Sequence, residues 1–455
     1  MTQTFLHNRK TSAFLLTLDG HVLALIPGCT VNSTATRVAL ATTSTSTSVP
    51  SLTSTTIPTP SAPINTPTDT RSPTTRPIPT RTPLPVTPVR PTVARTVAPT
   101  RTAAPRPTPT PPAAGPSATP GVASRVYVRR SGDQFTLLVN GQPTYIKGMN
   151  YNVNYTNLPE DTQLEMHRRD FKIMRDAGVN AIIGWGIYDE ITLDVAAEFG
   201  IGVIMPFPLD PQGSYENQDY RNEIVSNFRD YIKRFKDFPA VWGWNPGGDE
   251  LIYQMKNAQS RTVDKLQFAA DLELELAQVA HTMDPNHINV IKEPRDWYIK
   301  YLNVSLQNAR KQPSYTDLST SLVYGVNVYG HTDDIQLALG NAKLTLTGQL
   351  GIGMLVSEFG PFNSPRAERA TNYANIWYTA ARITTIGAMV YVFGPDQPNP
   401  TVANPYDPLT LLPSEYSLVD MNGAPVDGAL AALTAKWLAF SAPIRLPSVT
   451  PTVKP

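Results

Sequence analysis

The chain has 455 residues, a net charge of +1, 44 prolines and one cysteine. The charge is unevenly divided: residues 1–40 carry +2, residues 41–120 carry +6, and residues 121–455 carry −7. An acidic C-terminal part argues against a nucleic-acid partner, and with Cys29 the sole cysteine it holds no disulfide, cysteine-based zinc site or thiol nucleophile.

In chain order, Arg9 and Lys10 precede the apolar runs Ala13–Leu16 and Val22–Ile26, followed by Pro27-Gly28-Cys29. Basic, apolar and small-residue regions in that order read as an export signal over residues 1–29. The order also resembles a bacterial lipoprotein signal, which implies lipidation of Cys29 and a membrane tether through it. The alternative is a plain signal with Cys29 incidental. Asp19-Gly20-His21 interrupts the run, which is too short for a membrane span. Residues 41–120 hold 20 prolines among Thr and Ser, seven arginines against Asp69, and no aromatic residue. Such a tract cannot bury enough apolar surface to offset its ordering entropy. Residues 30–120 are therefore expected to be a disordered linker, extended where proline is dense. This places the remainder in an exported, extracellular or cell-surface setting. Residues 449–455 read as a frayed tail.

Residues 121–448 are expected to fold. A hairpin of Arg125–Val128 and Phe135–Val139 comes first, and Asn140-Gly141 turns the chain onward. Eight short apolar runs follow: Thr144–Gly148, Ala181–Ile183, Ile201–Met205, Ala240–Trp244, Ile288–Ile291, Leu322–Val326, Gly353–Val356 and Ala388–Val392. Most are bounded by Gly, Pro or Asn, as buried parallel strands are. Helical periodicity lies between them, at Thr162–Ala177, Ile191–Phe199, Tyr220–Phe235 and Thr262–Met283. Eight strands alternating with helices predict an α/β fold, a (β/α)₈ TIM barrel, with the hairpin plugging or flanking its bottom. A doubly wound sheet is the rival, but no phosphate-cradling glycine loop follows any strand.

Barrels of this class work at the C-terminal ends of their strands. Asn245-Pro246-Gly247-Gly248-Asp249-Glu250 follows the fourth run, and Ser357-Glu358-Phe359-Gly360 the seventh. Two carboxylates across one barrel mouth suit general-acid and nucleophile chemistry on a glycosidic bond. Aromatic residues that sugar rings stack on lie in or soon after the strands: Trp185, Phe207, Trp242, Trp244, Trp297, Tyr329 and Phe393. Asp249 also reads as an N-cap for a helix starting near Glu250. The six histidines show no metal-ligand spacing, so neither metal nor organic cofactor is expected.

The segments Tyr145–Asn150, Trp244–Glu250, Gly325–Tyr329 and Leu355–Gly360 resemble clan A glycoside hydrolases, above all the family 2 TIM-barrel domain. Family 5 and the β-1,3-glucanosyltransferases are similar. Ser417–Gly423 resembles the segment that often closes such barrels. The resemblance spans about Val139 to Trp437 and implies a retaining hydrolase of a β-linked oligo- or polysaccharide; a monomer is expected. It implies Glu250 as acid/base, Glu358 as nucleophile and Tyr329 as the tyrosine orienting it. Asn150, Trp185, Trp244, Asp249, Asn327 and Phe393 are the implied substrate-binding residues. The sequence departs from the family in four places. Asp249 stands where Asn is usual, and the strand-two Arg is missing from Asn180–Trp185. The strand-eight Trp appears as Phe393 or is displaced, and no sugar-binding β-sandwich is read upstream, where the Pro-rich spacer lies. A transglycosylase and a catalytically inactive carbohydrate-binding barrel remain alternatives.

Overall fold

The computed structural model describes residues 16–18, 21–23, 122–132, 134–258, 262–384, 386–405, 407 and 409–440. The linker, Cys29 and the tail lie outside these residues, as does most of the expected export signal. Two short strands, β1 (Leu16–Leu18) and β2 (His21–Leu23), pair antiparallel within that signal segment.

The expected hairpin is a three-stranded antiparallel sheet of β3 (Val126–Ser131), β4 (Gln134–Val139) and β5 (Gln142–Thr144). The third strand was not foreseen, because its three residues include a proline and carry little strand signal. Eight parallel strands then close into a barrel in chain order. They are β6 (Ile146–Asn150), β7 (Ala181–Ile183), β8 (Gly202–Pro208), β9 (Val241–Gly247), β10 (Ile288–Pro294), β11 (Leu322–Tyr329), β12 (Gly353–Gly360) and β13 (Gly387–Val390). The N-terminal sheet plugs the barrel: Val126, Val128, Phe135, Leu137 and Val139 share one buried cluster with Ile146, Ile183, Ile204, Trp242 and Val323. Val126 N and Val128 N donate to Asn286 O and Thr320 O, fixing the sheet to the ends that precede β10 and β11.

The helices begin where local chemistry directs. Helix α1 (Glu160–Asp176) carries Glu160 and Asp161 in its first turn, where the helix dipole favours negative charge. Asp189, Asn217 and Thr262 cap α2 (Glu190–Glu198), α3 (Gln218–Phe235) and α5 (Val263–Met283) with side-chain oxygens. The short α4 (Leu251–Ala258) leaves the end of β9 directly. The ring is completed by α6 (Ile299–Ala309), α7 (Thr332–Lys343), α8 (Arg369–Ile383) and α9 (Ala429–Ala439). The last connection, residues 391–428, is long and brings Tyr416 against Tyr329 and Tyr391 at the mouth. Among the described residues, no helix is long and apolar enough to cross a membrane.

Two register shifts position the site. Val203 and Ile204 of β8 pair with Val241 and Gly243 of β9, so Trp242 is an extra residue on β9. On β12 the extra residue lies near Ser357: Gly325 and Asn327 pair with Leu355 and Glu358, and Val356 and Phe359 pair with Ala388 and Val390. A bulge interrupts strict alternation and re-aims the side chains beyond it.

Candidate active site

The mouth is assembled from the ends of β9, β10, β11 and β12. After β9 the chain passes through left-handed conformations at Gly247, Gly248 and Glu250, with φ of 97°, 72° and 48°. The glycines are required by space as well as by φ. A Cβ on Gly247 would sit 2.2 Å from Glu273 Oε1, and one on Gly248 would sit 2.7 Å from the Cα of Pro208. Gly247→Ala is therefore expected to cost about 1–3 kcal/mol and lower the unfolding temperature, measured calorimetrically. An unchanged temperature would contradict the tight packing.

This turn delivers Glu250 to the mouth, where Asn327 Nδ2 donates to Glu250 Oε1 at 2.9 Å. The bulge on β12 lets Ser357 and Glu358 both face inward. Ser357 Oγ donates to Asn327 Oδ1 at 2.6 Å, in space left by Gly325, where a Cβ would lie 2.6 Å from Ser357 Oγ. Tyr329 donates its hydroxyl to Glu358 Oε2. One carboxylate oxygen each of Asp249, Glu250 and Glu358 lies within 4.8 Å of the others. Such a triad resembles a cation site, yet a cationic side chain already occupies its edge. Lys292 Nζ, fully buried on β10, lies 2.6 Å from Glu358 Oε1 and 2.9 Å from Asp249 Oδ1.

Electrostatics separate the two glutamates. Burial, then Asp249 and Glu358, push the Glu250 carboxyl up to about 8, against the Asn327 hydrogen bond. Burial also raises Glu358, but the Lys292 ammonium and the bonds from Lys292 and Tyr329 limit it to about 7. Burial disfavours charge on Lys292, and the carboxylates of Asp249 and Glu358 outweigh it, so its pKa is raised. Both carboxyls thus titrate above the usual carboxylate range, and Glu250 keeps its proton to higher pH than Glu358.

Several expected roles are corrected. Asp249 does not cap α4: the helix N-H groups of Ile252 and Tyr253 are taken by the buried Glu293 carboxylate, at 2.6 and 3.2 Å. Asp249 faces Lys292 instead. Trp244 is not a sugar platform. The Trp242 bulge turns it out of the barrel, where it packs on Phe228 and Tyr231 and donates to Asp284 at 2.9 Å. Trp242 itself lies in the barrel floor. Phe393 is buried against Tyr151, and Tyr391 provides the strand-eight aromatic, its ring edge-on to Tyr329. Phe207 packs on Phe228 and Tyr231 in the helix layer. Asn150 is fully buried and donates to Ser357 O at 2.9 Å, bracing the bulge rather than meeting a sugar. Asn327, also buried, uses its amide on Glu250 and Ser357. Trp185 does stand at the mouth, 37% exposed and tilted against Tyr391. Trp297 is exposed on the loop after β10, under the Arg295 guanidinium.

Sequence reasoning missed Lys292. The apolar run ends at Ile291, whereas β10 continues to Pro294. A lysine two residues past Val290 on a buried strand shares the inward face of Val290 by period-two alternation, and that was the available signal.

Comparison with solved structures gives the same architecture at low identity. The barrel is similar to a Bacteroides uniformis β-glucuronidase covalently bound to cyclophellitol-6-carboxylate aziridine (18% identity, TM-score 0.52, covering 69% of this chain and 37% of that one). It is similar to a β-glucuronidase from Ruminococcus gnavus in complex with D-glucuronic acid (14% identity, TM-score 0.51, 69% and 52%). A family 2 β-galacturonidase from Eisenbergiella tayi bound to galacturonate is a third (16% identity, TM-score 0.50, 70% and 54%). The chain thus spans little more than half the length of these proteins, or less. No protein-family profile and no curated protein matches the chain. In fold, residues 122–440 form a (β/α)₈ TIM barrel similar to those of family 2 glycoside hydrolases.

Proposed function

We propose that the chain is a retaining glycoside hydrolase acting on β-linked oligo- or polysaccharides, with Glu358 as nucleophile and Glu250 as acid/base. The observation that carries this reading is the pairing of two carboxyl groups, each with an oxygen within 4.8 Å of the other, both raised by burial but Glu250 further than Glu358, which Lys292 and Tyr329 hold back. Retaining enzymes hold their carboxyl groups about 5–5.5 Å apart, whereas inverting enzymes leave about 6.5–9.5 Å for a water. In the first step Glu358 attacks the anomeric carbon while Glu250 protonates the departing oxygen. In the second, Glu250 takes a proton from water, which attacks the same carbon and releases Glu358. Tyr329 holds the nucleophile's second oxygen throughout. The uronic acid ligands of the similar structures make β-glucuronides and β-galacturonides the first substrates to test.

Two measurements test the reading. Proton NMR of the first-formed sugar is expected to show the β anomer, and initial release of the α anomer would contradict the double displacement. The pH profile of kcat/KM is expected to be bell-shaped. Its acid limb follows ionisation of Glu358 at about 7, because activity needs the carboxylate and rises as the proton leaves. Its alkaline limb follows loss of the Glu250 proton at about 8, because the protonated acid is needed. A plateau extending from pH 4 to pH 7, typical of ordinary carboxylate values, would contradict it.

A further inference from the structure

Lys292 is the one feature of the site for which neither motif nor spacing gives a role. Its side chain is fully buried, and a buried ammonium is held only where partners offset its lost hydration. Both partners are carboxylates, and one is the proposed nucleophile. The two strongest departures of the sequence, Asp249 for Asn and the missing strand-two Arg, become one arrangement here. A cation reaches Glu358 from β10 instead of β7, and Asp249 supplies the anion that keeps that cation charged.

We propose that Lys292 is the positioning residue for the nucleophile: clamped by Asp249, it fixes Glu358 Oε1 and balances its charge while Tyr329 fixes Oε2. With Glu250 protonated, Asp249, Lys292 and Glu358 together carry one net negative charge. Without Lys292, Asp249 and Glu358 would be two like charges facing each other across a few ångströms. The titratable groups facing Glu358 are Asp249 and Glu250 from the end of β9, Lys292 from β10 and Tyr329 from β11. Tyr391, bonded to Asp396, faces it from beyond β13. Of these, Lys292 alone is cationic. Its removal therefore acts on Glu358 in one direction, upward. The proposal rests on Glu358 being the nucleophile.

The test is Lys292→Met, which keeps most of the unbranched side chain and removes its charge, alongside the double variant Asp249→Asn/Lys292→Met. An opposite charge at this range moves a carboxyl by about one to three pH units. The acid limb of kcat/KM in Lys292→Met is thus expected to move up by about one to three units, with activity at neutral pH down about 10–1000-fold. The double variant, which also removes the facing anion, is expected to recover part of that shift. The side-chain ¹³C titration of Glu358, assigned by its loss in Glu358→Gln, reports the same shift without turnover. An unmoved titration in a folded Lys292→Met, or in the double variant compared with Asp249→Asn if the single variant does not fold, would overturn the proposal. A moved titration without turnover in the parent protein would instead overturn the hydrolase reading and leave the Lys292–Glu358 coupling standing.

Discussion

Glu358→Gly is expected to lower kcat/KM by about 10⁴–10⁶-fold, the range seen when a covalent nucleophile is removed. Three features make the loss specific to chemistry. Glu358 is buried at the end of β12, its two oxygens are held from opposite sides by Lys292 and Tyr329, and its backbone position is set by the β12 bulge. Deleting the side chain leaves those two donors facing an empty anion site. Azide is therefore expected to enter and restore partial turnover, attacking the anomeric carbon once and releasing an α-glycosyl azide from a β-glycoside. Lys292 and Tyr329 would hold the small anion as they held the carboxylate. Full residual activity in Glu358→Gly would contradict the assignment.

Glu250→Ala has the second-largest expected effect, and the effect depends on the leaving group. General-acid assistance is worth about 10²–10⁴-fold, and it matters only where the departing oxygen needs a proton. An alkyl or sugar leaving group is expected to lose that full amount in the glycosylation step. A dinitrophenyl leaving group departs as a stable anion and is expected to lose little in that step. The alkaline limb of the profile should vanish with the carboxyl that causes it. Equal losses on both substrates would assign Glu250 a structural role.

The sequence carried the barrel because each strand left a short apolar run and four of the helices, α1, α2, α3 and α5, a 3.6-residue period. Helix α5 shows this well: Thr262 was placed at its start and is its cap. The positions of Asp249, Glu250, Tyr329, Asn327 and Glu358 near one another follow from strand order alone, since β9 to β12 are adjacent in the barrel. What was illegible depended on bulges. Period-two counting sets Trp242 and Trp244 on the same face, and the extra residue at Trp242 sends them to opposite layers. The same counting puts Ser357 and Glu358 on opposite faces, and the β12 bulge brings both inward. Capping was misread for a different reason. Glu293 lies 43 residues after Glu250 in sequence but beside α4 in space, so no local pattern displays it as the helix cap.

The central claim is that Glu358 bonds covalently to the sugar. Activated 2-deoxy-2-fluoro β-glycosides, including the glucuronide and galacturonide, slow release of such an intermediate and allow the intact protein and its peptides to be weighed. The expected result is a single added sugar on the peptide containing Glu358, absent from Glu358→Gln. A sugar on another residue would contradict the account. So would inertness to the whole panel with sugar binding retained, which would make the barrel a carbohydrate-binding module.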